Sequence, residues 1–258
     1  MRNIKLTIEY AGTKYAGWQV QGRRHRTIQG TLEKALQKIL REKIHLIGSG
    51  RTDAGVHAFG QVANFKTDSG VPVWKIQKAL NANLPGDIVI TSVEDVNFDF
   101  HSRFDAKSKV YRYTVLNRAY PPAILKDKVY FYPYPLDVEL MRKETKSLLG
   151  RHDFKSFCAS SSSVKDTIRT IKNITIKKSA YSLQLTVYSL KKPSLITIEI
   201  EADGFLYNMV RNITGTLLEI GRGKLPAGSL KRILLAKNRR LAGPTAPAQG
   251  LCLLEVKY

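Results

Sequence analysis

Two cysteines in 258 residues, Cys158 and Cys252, with no CxxC pair, exclude a disulfide framework and a thiolate metal knuckle. Five histidines show no HxxxH spacing, so no metal centre is expected. No apolar run reaches the length of a membrane span. The opening "MRNIKLTIEY" alternates apolar and polar where a secretory leader would carry an apolar block. A cytoplasmic protein without membrane contact is the expectation. Acid is also scarce: 21 Asp and Glu stand against 42 Lys and Arg, a net charge of +21. Such a field favours polyanions, nucleic acid foremost. The cations are scattered through the chain rather than gathered on one basic helix, which argues against a membrane surface.

What is present is a mixture of two periodicities. "NIKLTIEY" places Ile4, Leu6 and Ile8 on one face of a strand. "IQGTLEKALQKIL" carries Leu32, Ala35, Leu36, Ile39 and Leu40 at helical spacing. "IHLIG" and "QVANF" read as short strands, "PVWKIQKAL" as a helix led by Pro72, and "DIVITSVEDV" as a strand. The second half repeats the theme. "KVYRYTVL", "IRTIKNITIKK", "YSLQLTVYSL", "LITIEIEADG" and the closing "LCLLEVKY" read as strands. "DVELMRKETKSLLG" is expected as a helix capped by Asp137 and ended by Gly150. "FLYNMVRNITGTLLEIG" and "GSLKRILLAK", with Ser229 as cap, are expected as two more. The order predicts an α+β protein of two units, 1–104 and 105–258, divided near the charged segment "NFDFHSRFDAKSK". Clefts between such units are where ligand sites tend to form.

One acid stands apart. "IHLIGSGRTDAGVHAFGQVANF" sets Asp53 in a glycine-bracketed turn directly after Arg51 and Thr52. Aspartate in a glycine-rich turn is ordinary turn chemistry. The stretch lacks GxxxxGK[ST] and GxGxxG, so it is neither a P-loop nor a dinucleotide fingerprint. Its charged neighbours are Arg51 and His57, not a second carboxylate, which excludes a paired-acid glycosidase and a clustered-carboxylate metal nuclease. An adjacent cation lowers a carboxylate pKa by roughly 1–3 units. An ionised carboxylate suits a nucleophile or base, and carboxylate nucleophiles suit glycosyl chemistry. His57 is expected in a structural hydrogen bond.

"GSGRTDAGVHAFGQVANF" resembles the catalytic signature of the tRNA pseudouridine synthase A family. "NIKLTIEYAGTKYAGWQ", "ALNANLPGDI", "FHSRFDAKSKVYRY", "GRHDFKSFCA", "DGFLYNMVRNITG" and "AGPTAPAQGLCLLEV" are similar to other segments of that family, in the same order. The resemblance spans nearly the whole chain and departs little from the family pattern. His101-Ser102 and Asp105 are the exception, standing where somewhat different polar residues are expected.

The resemblance implies two ferredoxin-like or RRM-like α/β subdomains with largely antiparallel sheets, joined into one extended sheet with an active-site cleft between them. It implies isomerisation of uridine to pseudouridine at positions 38, 39 or 40 of the transfer RNA anticodon stem-loop, without cofactor, by a homodimer. The second subdomain would complete the cleft and carry the dimer interface. By position in the motif, Asp53 is the catalytic aspartate. Attack on the sugar, attack on the base and deprotonation at C2′ all remain open to it.

The same resemblance places Tyr111 against the target uracil and makes Arg211 the basic partner of the aspartate. Read from the residues alone, Tyr111 also fits a sheet face, and Arg211 lies off the apolar stripe of its helix. Arg51 suits the carboxylate or the RNA backbone, and Leu206 and Val210 suit apolar pocket walls. Arg23, Arg24 and Arg26, with Tyr15 and Trp18 nearby, suit phosphate contact plus stacking. Arg103, with His101, is a further candidate for RNA contact.

Overall fold

The computed structural model describes residues 1–22, 25–162, 164–181 and 193–258. Arg23, Arg24 and all of the expected strand "YSLQLTVYSL" after Tyr181 lie outside the described residues. Packing divides the chain into two compact units. One is Met1–Lys109 together with Cys252–Tyr258; the other is Val110–Leu251. The expected division at 104/105 placed the closing strand with the second unit. It groups with the first, and its residues explain why. The Lys107 amide donates to the Lys257 carbonyl at 2.8 Å, and the Tyr258 hydroxyl donates to the Ser102 carbonyl at 2.7 Å.

In the first unit, strand β1 (Arg2–Tyr10) leads to helix α1 (Ile28–Leu40), strands β2 (Ile47–Gly48) and β3 (His57–Thr67), helix α2 (Val73–Asn83) and strand β4 (Ile88–Val96). Alternation in β1 buries Ile4, Leu6, Ile8 and Tyr10 on one face. Antiparallel neighbours flank it on both sides, with Leu6 opposite Ala63 of β3 and Val93 of β4. Thr27 caps α1 by accepting the Gly30 amide at 3.2 Å, and the helix buries Ile28, Leu32, Ala35, Leu36 and Leu40. Each large aliphatic side chain so buried contributes about 1.5–3 kcal/mol.

The expected strand "IHLIG" shortens to two residues. Ile44 and Leu46 are buried as anchors, but the Leu46 amide donates to the Glu33 carboxylate on α1 at 2.9 Å instead of to a neighbouring strand. No helix among the described residues is long and apolar enough to cross a membrane.

The second unit takes most of strand β5 (Ser108–Asn117), then β6 (Tyr130–Tyr132), helix α3 (Val138–Thr145), strands β7 (Gly150–Asp153), β8 (Ile168–Ala180) and β9 (Ser194–Ala202), and helices α4 (Met209–Gly221) and α5 (Ser229–Ala236). The strand order is β5-β9-β8-β7, with the short β6 parallel to β5. Strand β10 (Leu251–Lys257) then returns to the first unit, parallel to β3, with Cys252 opposite His57.

Three helix ends depart from expectation. Asp137 caps α3 through the Leu140 amide as expected, at 2.9 Å, but the helix gives way to a 3-10 turn at Lys146–Leu148. Gly150, at φ 92, then opens a strand instead of ending a helix. Ser229 is the first residue of α5 rather than its cap. Gly228 precedes it at φ 80, and the Glu144 carboxylate from α3 accepts the amides of Gly228 at 2.6 Å and Leu230 at 3.0 Å. Finally, α4 starts only at Met209, after Asn208 in the left-handed region at φ 61. It buries every residue except Arg211 and Glu219, so it is a core helix, not one with a solvent face.

Candidate active site

Asp53 sits, partly exposed, in the loop that joins β2 to β3. The loop is tied down on both sides of the carboxylate. The Ser49 amide donates to the Val62 carbonyl at 2.8 Å, and Gln61, fully buried, takes the Ser49 hydroxyl at 2.7 Å and donates to the Gly50 carbonyl at 3.0 Å. Thr52, next to Asp53, meets the Tyr10 hydroxyl at 2.8 Å through its own hydroxyl and accepts the Trp18 amide at 3.0 Å through its carbonyl. A turn closes just beyond, from the Val56 amide to the Asp53 carbonyl at 3.1 Å, with Gly55 at φ 79. That conformation costs a residue with a Cβ roughly 1–2 kcal/mol, so glycine is favoured there.

The loop after β1 interlocks with this one. Gly17 lies against the Thr52 carbonyl, where an added Cβ would stand 2.6 Å from the oxygen. The Gly12 amide donates to His57 Nδ1 at 3.1 Å, which is the structural bond expected of that imidazole. The Gly55 amide reaches the Tyr15 carbonyl at 3.3 Å.

This interlock corrects one expectation. Tyr15 and Trp18 are each only 3 % exposed. Trp18 packs against Gly48 and lies 6.2 Å from the Tyr10 ring. The Tyr15 hydroxyl donates to Asp87 at 2.5 Å, and Arg26 covers the ring at 4.8 Å. Both rings hold the loop in place instead of presenting a face to a base. Burial together with the Asp87 hydrogen bond pushes the Tyr15 hydroxyl well above the ordinary tyrosine range.

Arg51, Arg26 and Arg103 are exposed. Beside Arg103, the His101 ring accepts two amides through Nδ1 and stacks on Phe104 at 4.2 Å. Lys109 is a second cation at the aspartate loop that the sequence reading missed; the end of its side chain lies over Gly50. Only its contact marks it, because nothing in "AKSKVYRY" separates Lys109 from Lys107.

The remaining candidates belong to the second unit. Tyr111, on β5, is 8 % exposed and meets Phe205 edge-on at 5.0 Å. Leu206 and Val210 are buried, at 5 % and 3 %. Arg211 is half-buried in the first turn of α4, where its Nε donates to the Ala246 carbonyl at 2.7 Å and its Nη1 to Asn208 Oδ1 at 2.8 Å. The left-handed Asn208 thus serves the arginine as well as starting the helix. Sequence reasoning missed Asn208, Tyr10 and Thr52, since their partners are set by tertiary packing. Among the described residues, no group of three His, Cys, Asp or Glu could hold a metal ion.

Comparison with known proteins supplies the chemical context. A family model described as tRNA pseudouridine synthase matches residues 6–105 and 145–258. The chain is 46 % identical over 258 residues to the tRNA pseudouridine synthase A of Acetivibrio thermocellus, with all of both chains covered. It is equally similar, again over both full lengths, to tRNA pseudouridine synthase A of Caldicellulosiruptor bescii and to tRNA pseudouridine synthase A 2 of Clostridium perfringens, each at 46 %.

Proposed function

The chain belongs to the tRNA pseudouridine synthase family, isomerases that turn uridine into pseudouridine in transfer RNA, and we propose that Asp53 is the carboxylate on which its reaction turns. The observation that carries this reading is the anchoring of the Asp53 loop. The backbone is fixed at Ser49, Gly50, Thr52 and Val56, yet Asp53 remains partly exposed. Catalytic groups gain from such rigid support, because it removes reorganisation from the reacting step.

The chemistry is balanced within one nucleotide. The N1–C1′ bond breaks, the uracil turns, and a C5–C1′ bond forms. The proton lost from C5 is matched by one gained at N1, so no oxidant, energy source or cofactor is called for. Asp53 takes part through C1′, the base or C2′. Tyr111 supplies an aromatic face to the uracil and a hydroxyl suited to assist proton removal from C5. Leu206 and Val210 supply apolar walls, and Arg211 supplies the positive charge that supports the aspartate. Arg51, Arg26 and Arg103, all exposed, suit phosphate contact, as do Arg23 and Arg24 by sequence.

The substrate uridines in this reading are those at 38, 39 and 40 of the anticodon stem-loop. A nucleotide there leaves its stack at a cost of a few kcal/mol, which phosphate contacts with a chain of net charge +21 offset. The enzyme acts in the cytoplasm as a homodimer; light scattering at micromolar concentration checks the second point, and a monomeric mass overturns it.

Carbodiimide mapping of pseudouridine in transfer RNA tests the central claim. Asp53→Asn is expected to bind transfer RNA with unchanged affinity and form no pseudouridine. Substantial turnover by the purified variant rules out the aspartate assignment. Release of free uracil by the native protein would instead point to a glycosylase, whereas isomerisation leaves the mass of the RNA unchanged.

A further inference from the structure

We infer that Arg239 is a positioning residue for Arg211, acting through the segment Ala242–Ala246, and that it sets kcat rather than affinity for RNA; this rests on the reading of Arg211 as the cation that supports the aspartate. Asn212 is a polar residue that is completely buried in α4. Its amide nitrogen donates to the Phe157 carbonyl at 2.8 Å. Its Oδ1 takes two donors at once, Arg239 Nη2 at 2.9 Å and the Thr245 hydroxyl at 2.7 Å. The same Nη2 donates to Thr245 Oγ1 at 3.1 Å, while Nη1 reaches the carbonyls of Ala242 at 3.2 Å and Gly243 at 3.0 Å.

One guanidinium therefore grips both ends of a short loop and ties it to the helix. The loop lies directly on α4. Gly243 donates its amide to Thr216 Oγ1 at 2.9 Å, and Gly215 leaves room for the Pro244 carbonyl, 1.7 Å from where a Cβ would stand. The last residue of the loop is the one that holds Arg211. Ala246 accepts Arg211 Nε through its carbonyl at 2.7 Å and donates its amide to the Arg211 carbonyl at 3.1 Å.

The planar fork of Arg239 makes four bonds from two nitrogens, which a lysine ammonium on a flexible stem cannot reproduce. Loss of the fork frees the loop, and with it the Ala246 carbonyl that helps to aim the Arg211 guanidinium. Misplacement of a catalytic group by about 1 Å costs on the order of a hundredfold in rate.

Single-turnover release of tritium from C5 of labelled uridine in transfer RNA, with enzyme in excess, gives the rate of the chemical step. Filter binding gives the RNA affinity. Arg239→Gln is expected to lower that rate about 10–100-fold with affinity within about twofold, and Arg239→Lys is expected not to restore it. The discriminating measurement is the double variant. If Arg239 acts through Arg211, Arg239→Gln adds little to the loss already caused by Arg211→Gln, whereas a merely structural role multiplies the two losses. Thr245→Val removes one hydroxyl from the same network and gives the same pattern more weakly, should Arg239→Gln fold poorly. If Arg211→Gln slows the step but Arg239→Gln and Thr245→Val do not, or if the losses multiply, the positioning role is overturned. If Arg211→Gln itself leaves the rate unchanged, the catalytic reading of Arg211 fails first.

Discussion

The hydroxyl of Tyr10 lies 2.8 Å from that of Thr52, the residue immediately before Asp53. Tyr10 is the last residue of β1, which lies between β4 and β3, so the aspartate loop is tied to an interior strand of the first unit's sheet. Tyr10→Phe keeps the ring and deletes the bond, leaving a nearly buried threonine hydroxyl short of its partner. The expected cost is about 1–3 kcal/mol of stability. Because the loop rather than the strand loses its tie, the rate of pseudouridine formation should fall more than transfer RNA affinity does. Denaturant titration and single-turnover kinetics check the two halves. Wild-type kinetics in a destabilised variant would show that Thr52 needs no tie for the chemistry.

Burial pushes the hydroxyls of Tyr10 and Tyr113 well above the ordinary tyrosine range. Both are inside their units, at 3 % and 0 % exposure. The folded protein holds these protons more tightly than the unfolded chain, whose tyrosines titrate near about pH 10. The stability that the neutral hydroxyls contribute is complete below about pH 10 and is lost as the pH rises from there toward the folded-state values. The last tyrosinate absorbance should therefore appear together with loss of circular dichroism. Complete tyrosine ionisation with the folded spectrum intact would contradict this.

Much of the fold could be read from short-range pattern. The alternation of β1, the helical spacing of α1 and the cap at Asp137 need no knowledge of distant neighbours, and each is found where expected. Errors fell where a distant residue decides the outcome. The Leu46 amide goes to Glu33, which shortens a strand, and the amides at the start of α5 go to Glu144, 84 residues away from Gly228, which displaces a cap. Tyr15 and Trp18 looked like surface aromatics because their segment is polar; Asp87 and the Gly48 backbone bury them. Asp53 was legible because its motif is contiguous. Tyr10 and Arg239 were not, since their partners Thr52 and Asn212 lie 42 and 27 residues away.

Affinity for transfer RNA should fall steeply with salt. A log–log plot loses roughly 0.7–0.9 of slope for each phosphate contact removed. Arg26 and Arg103 are both exposed. Arg26→Ala and Arg103→Ala should each flatten the plot by about one such step and weaken all substrate transfer RNAs alike, since phosphate contacts carry no sequence information. An unchanged slope removes that arginine from the RNA-contacting set. Arg26 carries a second expectation, because it also covers the buried Tyr15 ring at 4.8 Å. Its replacement should cost some stability, whereas that of Arg103 should not.

Asn208 separates folding from function most cleanly. It occupies the left-handed region at φ 61, where an asparagine is tolerated and a glycine is at ease. Its side chain gives α4 no cap bond; its Oδ1 accepts Arg211 Nη1 at 2.8 Å. Asn208→Gly therefore relieves the backbone, by up to about 1 kcal/mol, and removes a bond that helps to aim the guanidinium. The melting temperature should hold or rise, transfer RNA affinity should hold, and the single-turnover rate should fall about tenfold or more. Asn208→Asp keeps the acceptor and adds a charge to it, so it should retain more of the rate than glycine does. Equal rates for wild type and Asn208→Gly would mean that Arg211 is held for the chemistry without the Asn208 bond.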